Sequence, residues 1–234
     1  MVSYSLTTFN QDGRLTQIDN ALKAVIFSNT VVALKSKNCG VLIAMNNSNN
    51  FVSEICFTPR VFIVNNKIGI AGSGLYPDLR LLVKRARRQA KIFQSNFGEE
   101  ISSRELAKEM SSFIQEFTQA GGVRVFGVSL FVVGFDMDGP NLYQIDPSGM
   151  FLRIKGGAIG KNADIAMEII KKRLSESLDF NDICSLAFII SQETSDVPLS
   201  KFNVHFAAIT EKCIFKIYSS LEVEAIIKKK KSVL

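Results

Sequence analysis

Apolar residues recur along this chain with two different periods, and the switches between them mark out its elements. Leu15, Ile18, Leu22, Val25 and Ile26 fall at helical spacing, which predicts a short helix over 14–27 with one apolar face. Thr16-Gln17-Ile18-Asp19 resembles a capping box at its start. Before it, residues 1–13 read as an extended arm closed by a turn at Asn10-Gln11-Asp12-Gly13. Two strand pairs follow. Thr30 to Lys35 and Val41 to Met45 flank a turn at Asn38-Cys39-Gly40, and Arg60 to Val64 and Ile68 to Ala71 flank Asn65-Asn66.

The period then returns to helical. Pro77 suits the first position of a helix whose stripe is Leu79, Leu82, Val83, Ala86, Ala90 and Phe93. Ser102-Ser103-Arg104-Glu105 caps a second, with Leu106, Met110, Phe113, Ile114 and Phe117 as its buried face. Val125 to Phe135 reads as a fully buried strand, followed by strands at Asn141 to Ile145 and Met150 to Ile154. The turns lie at Asp138-Gly139-Pro140 and Pro147-Ser148-Gly149. Helices are predicted near 162–175 and 180–192, strands near 203–209 and 213–218, and a last helix from Leu221. Strands, two helices, strands, two helices, strands: two sheets stacked between two helical layers would bury every stripe, although spacing by itself leaves other α+β arrangements open.

Composition narrows the class. The chain has 234 residues, 47% of them hydrophobic, enough for one large domain with its own core. The longest uncharged apolar stretch, Val125 to Phe135, is too short to span a membrane, and the first residues carry no secretory signal, so a soluble intracellular protein is the expectation. Cys39, Cys56, Cys184 and Cys213 lie far apart and read as free thiols rather than a disulfide framework or zinc site. His205, the single histidine, sits in an apolar alternation and reads as structural. The net charge of +6 is concentrated: Lys228 to Lys231 supply four charges, and Arg80, Lys84, Arg85, Arg87, Arg88 and Lys91 form a second cluster. Without stacking aromatics or a recognisable module beside them, these read as a solvated helix face and a loose basic tail over 228–234.

Five segments, in order, carry a family resemblance: YSLTTFNQDGRLTQIDNALKAV, SGLYPDLRLLVKRAR, FTQAGGVRVFGVSL, DPSG and GAIGKN. Together they resemble the proteasome alpha-subunit family, and Tyr4 to Phe9 and Gly160-Lys161-Asn162 are similar to its second type. The resemblance runs from near residue 4 to residue 162 and fades beyond about 190. It implies a four-layer αββα sandwich of the N-terminal nucleophile hydrolase type, spanning 1–234 as one domain. It also implies a non-catalytic subunit of the core particle, in a seven-membered ring with other alpha subunits, stacked on beta-ring subunits. Such a ring forms the gate for substrate and docks a regulatory particle or activators in ubiquitin-dependent degradation, in cytoplasm and nucleus. No cofactor, metal, nucleic acid or membrane is implied.

In catalytic relatives of this fold the nucleophile is an N-terminal threonine, whose freed amine acts as base. Here that position falls at Asn29 or Thr30, the aspartate position at Asn46 and the lysine position at Arg60. Asn46 supplies no carboxylate, and Arg60 stays protonated. Thr30 therefore reads as an ordinary strand residue. The resemblance further implies that Arg60, with Gly74 and Leu75, lines a pocket for the C-terminal carboxylate of an activator, which a guanidinium can grip bidentately. At the gate positions this chain has Val2, Ser3, Gln11 and Asn20, with Tyr4 beside them in the arm. Val2 and Asn20 lack the phenol hydrogen bonds of an ordered gate, so little contribution to one is expected. Two rival classes remain: an active threonine hydrolase, which would need a mature terminus at Asn29 or Thr30, and a nucleic-acid binder using the basic helix and tail.

Overall fold

The computed structural model describes residues 8–46, 58–200 and 203–231, with only the helical backbone given for 228–231. In chain order the elements are α1 (Thr16–Ile26), β1 (Val31–Lys35), β2 (Cys39–Met45), β3 (Val61–Asn65), β4 (Ile68–Gly74), α2 (Tyr76–Phe97) and α3 (Ser103–Gln119). Then follow β5 (Val128–Asp136), β6 (Gly139–Ile145), β7 (Phe151–Arg153), β8 (Gly156–Ile159), α4 (Ala163–Arg173), α5 (Phe180–Thr194), β9 (Val204–Thr210), β10 (Phe215–Ile217) and α6 (Ser220–Lys231).

The strands form two antiparallel five-stranded sheets, ordered β10-β9-β2-β1-β8 and β3-β4-β5-β6-β7. Because side chains alternate across a strand, each sheet has two apolar faces to bury. Val32, Leu34, Val41 and Ile43 of the first sheet pack under α4 and α5, against Ile170, Ile183 and Phe188. Ile68, Ile70, Leu130 and Val132 of the second pack under α2 and α3, against Leu79, Leu82, Leu106 and Met110. The facing sides meet through Val31, Ala33, Leu42, Phe131 and Val133. Those three apolar layers make the expected four-layer sandwich of sheets between helices.

Several local expectations change. Leu15, not Thr16, is the N-cap of α1, with no side-chain cap bond, so the capping box does not form. Ala21 and Val25 are the buried residues of α1, while Ile26 and Phe27 stand out at 56% and 84% exposure. The first hairpin turns at Ser36–Asn38, and Cys39 and Gly40 already pair in the ladder with Thr210 and Ile209. β5 starts at Val128, because Gly127 is held by α2: its N–H donates to Asp78 and its carbonyl accepts from Leu75 N–H. β8 was not predicted; its register places Gly156 and Gly157 opposite Leu34 and Ala33. α6 runs through Lys231, so the helical backbone extends over the lysine run expected to be a loose tail. Ser102 does cap α3, accepting from Glu105 N–H at 3.2 Å. Pro77 sits in the first turn of α2 as expected.

Candidate functional site

Four chain segments converge where β1 begins, β2 ends, β3 begins and β4 ends, at one mouth of the inter-sheet layer. Antiparallel pairing of β1 with β2 and of β3 with β4 forces this, since each hairpin returns its far end to the same place. The residues brought together are Ser28, Asn29, Thr30, Asn46, Thr58, Arg60, Ser73 and Gly74, joined by Lys161 from the loop after β8.

Hydrogen bonds tie these groups to one another. Thr30 Oγ1 donates to the Lys161 carbonyl at 2.5 Å, and Lys161 N–H donates to the Ser28 carbonyl at 2.9 Å. Ser73 Oγ donates to the Asn29 carbonyl at 2.7 Å, and Ser28 Oγ to the Gly74 carbonyl at 3.1 Å. Asn29 Nδ2 donates to Asn46 Oδ1 at 3.1 Å, and Asn46 Nδ2 to Thr58 Oγ1 at 3.3 Å. Thr30 is fully buried and its hydroxyl is committed to a carbonyl. Among the described residues, the groups bonded around the nucleophile position are side-chain amides, hydroxyls and backbone carbonyls, an arrangement that holds β1 in place.

Arg60 carries the site's fixed charge. It is half-buried, and Nη1 makes one long bond, 3.4 Å, to the Gly74 carbonyl. Burial lowers its pKa, with Tyr76 pulling slightly the other way, but a guanidinium stays protonated. No carboxylate lies within ion-pair distance of it among the described residues. His205 on β9 faces the same region. Burial, and then the charge of Arg60, lower its pKa, and among the described residues its Nε2 has no hydrogen-bond partner. Sequence reasoning set His205 aside as structural and missed its proximity to Arg60. The parity of β9 was the available signal: Ala207 and Ile209 face the inter-sheet layer, and His205 shares their side.

Gly74 adjoins Arg60 through that carbonyl bond, and Leu75 follows it at the N-cap of α2. Gly74 has φ +127°, and a Cβ there would overlap the Gly127 carbonyl oxygen, so only glycine fits. Leu75 is exposed at the N-cap of α2, and its side chain touches Gly127. Behind them lies a second missed feature. Asp78, buried in the first turn of α2, receives two bonds from Arg124, at 2.6 and 2.7 Å, and one from Gly127 N–H at 3.1 Å. This clamp holds the 124–127 segment against Leu75. Of the arm positions, Gln11 lies exposed in a turn built on Asn10, whose Oδ1 accepts from Asp12 N–H and Arg14 N–H, and Asn20 is exposed on α1. Val2, Ser3 and Tyr4 lie outside the described residues. Among the described residues, no cluster of His, Cys, Asp and Glu could hold a metal ion, and no helix is long and apolar enough to cross a membrane.

Residues 27–209, which contain both sheets up to β9, match the family of proteasome subunits. The chain belongs to the proteasome subunit family. Among its relatives it is similar to proteasome subunit alpha type-2 of Dictyostelium discoideum, at 38% identity over 95% of each chain. It is similar also to alpha type-2 of Oryza sativa subsp. japonica, at 35% over 95% of this chain and 94% of that one, and of Drosophila melanogaster, at 39% over 86% of each. On those similarities it is an alpha-type proteasome subunit, and the fold expected from the five segments is the one observed. At the mouth beside Arg60, Asn29 is bonded to Asn46 and Thr30 to the Lys161 carbonyl.

Proposed function

We propose that this chain is a non-catalytic ring subunit of the proteasome core particle, contributing to assembly of a seven-membered alpha ring on a beta ring. It helps form the gate for substrate and docks a regulatory particle or activators for ubiquitin-dependent protein degradation, in cytoplasm and nucleus. Neither nucleic acid nor a membrane belongs to this reading. The observation that carries it is Arg60, a half-buried guanidinium whose one bond among the described residues is a long one to a carbonyl. Such a group favours an incoming carboxylate, because a bidentate pair satisfies donors that no described residue accepts from. Gly74 and Leu75 form the wall beside it, the glycine because no larger residue fits. Against hydrolysis stand Asn46, which lacks a carboxylate, and Thr30, whose hydroxyl is bonded to the Lys161 carbonyl.

The test is Arg60→Ala in the assembled particle, with the affinity of a synthetic activator C-terminal peptide as readout. Loss of a charge-assisted bidentate pair should weaken binding by about tenfold or more. An unchanged affinity sinks the docking role. Intact-mass analysis of the chain from the same particle gives the second measurement, since a terminus at Asn29 or Thr30 would overturn the non-catalytic reading. For the gate, this subunit is expected to add little order. A structure of the opened particle with residues 2–4 in an ordered reverse turn would refute that.

A further inference from the structure

α2 bears a surface groove at the margin of the core, lined partly by Val83 and Phe62 of that core, which the Arg60 site does not use. Between its first turns and β3 lies a groove of about 600 Å³, with Phe62, Pro77 and Leu81 on its floor and Arg80, Lys84 and Arg87 on its rim. We propose that this groove receives an acidic amphipathic segment of a different subunit of the same particle. One apolar side chain seats on the floor, and flanking carboxylates meet the three cations. The proposal rests on membership of the particle but not on the docking role of Arg60.

The buried face of α2 is complete without the groove, being made by Leu79, Leu82, Val83, Ala86 and Ala90. Leu81 lies off that stripe at 50% exposure, and with Pro77 and Phe62 it makes a contiguous apolar floor rather than a scattered surface residue. Arg80, Lys84 and Arg87 recur at i, i+4 and i+7, a spacing that stacks like charges on one helix face and destabilises an isolated helix. None of the three has an acidic partner among the described residues; the nearby Asp78 is committed to Arg124. Arg87 Nε donates to the Ile63 carbonyl at 2.8 Å, which fixes its guanidinium at the groove and leaves both Nη groups for a partner. Carboxylates on an incoming segment would relieve the repulsion and set its register. A second copy of this chain is a poor occupant, because its net charge of +6 would bring like charge to like. Nucleic acid is disfavoured by the apolar floor, which phosphates and sugars do not fill.

The experiment begins with the intact particle. A zero-length carbodiimide, which joins an amine directly to a carboxylate, should link Lys84 to an Asp or Glu of another particle subunit, and Lys84 should be protected from acetylation relative to the free chain. Arg80→Glu with Lys84→Glu should then compete against wild type for incorporation about tenfold or more less well. Arg88→Glu with Lys91→Glu reverses the same charge outside the groove and should incorporate within about twofold of wild type. Melting of the free chains checks that both variants fold. Lys84 equally acetylated in particle and free chain, a cross-link only to a second copy, or equal loss of incorporation in both variants overturns the proposal. Absence of the chain from the particle instead refutes the ring assignment, so the two failures are told apart.

Discussion

Replacing Asp78 by asparagine keeps the side chain's size and one acceptor oxygen but removes the charge that Arg124 grips. In the folded chain the carboxylate takes two bonds from the guanidinium and one from Gly127 N–H. The Asp78 side chain is 8% exposed and that of Arg124 60%, so a released guanidinium rehydrates, while asparagine can still accept from Gly127. Two charge-assisted bonds are lost, and solvent screening at the exposed arginine discounts them to about 2 kcal/mol together. Loss of an acid from the first turn of α2 adds a few tenths. In a chain of this length about 2 kcal/mol lowers the melting temperature by roughly 4–8 °C.

The pH dependence makes the test sharper. Burial raises the pKa of Asp78, but the bonds from Arg124 and Gly127 and the arginine's charge outweigh it and hold the carboxyl below its ordinary 3.8. A carboxylate whose folded pKa is lowered stabilises fully above its unfolded pKa and loses that stabilisation as the pH falls through the folded value. Wild type and Asp78→Asn should therefore differ fully at about pH 7, converge from about pH 4 downward, and coincide in stronger acid. Urea and thermal unfolding of the purified chain across that range measures it. A difference below about 0.5 kcal/mol at neutral pH, or one constant into acid, refutes the clamp. Arg124→Gln should cost a similar amount, and the double variant little more than either single one, because both remove the same interaction.

Two further outcomes follow from local geometry. Gly74→Ala combines φ +127° with overlap of the Gly127 oxygen and should cost at least about 3 kcal/mol, whereas Gly98→Ala, at φ +74° with open space around it, should cost about 1–2 kcal/mol; equal melting losses would refute the crowding. Burial pushes the Cys184 thiol up to about 12 and raises Cys39 as well, so of these two and the half-exposed Cys213 a thiol reagent at about pH 8 should label Cys213, reaching Cys39 and Cys184 only on unfolding; early labelling of Cys184, read by peptide mass, would contradict its burial.

The elements most legible in the sequence were those whose causes are local. The Ser102 cap and its Glu105 partner lie three residues apart, and the stripe from Leu106 to Ile114 is set by one helix's own period. β8 was invisible because its glycines answer to distant neighbours. A Cβ on Gly156 would press on Leu174 and Leu34, and one on Gly157 on Ile154 and Phe131. The site divided in the same way. Arg60, Gly74 and Leu75 could be placed by family spacing along adjacent strands, but His205 reaches Arg60 only because β9 inserts beside β2. Asp78 stood within a recognisable helix start, yet its partner Arg124 comes after all of α3 and leaves no periodic trace.

That insertion of β9 also sets an order on folding. β3 to β7 form a sheet in which each strand pairs with its neighbour in sequence, so it can assemble as the chain emerges. The other sheet cannot. β2 pairs Cys39 with Thr210 and Met45 with Val204, and until those residues have been synthesised its outer edge has no partner strand. The β1–β2 hairpin, made first, is completed last. A nascent chain therefore carries an open, aggregation-prone edge through most of its synthesis, and a chain shortened before β9 would keep it permanently. Closure of the first sheet thus waits on the C-terminal part of the chain, which carries β9 and β10.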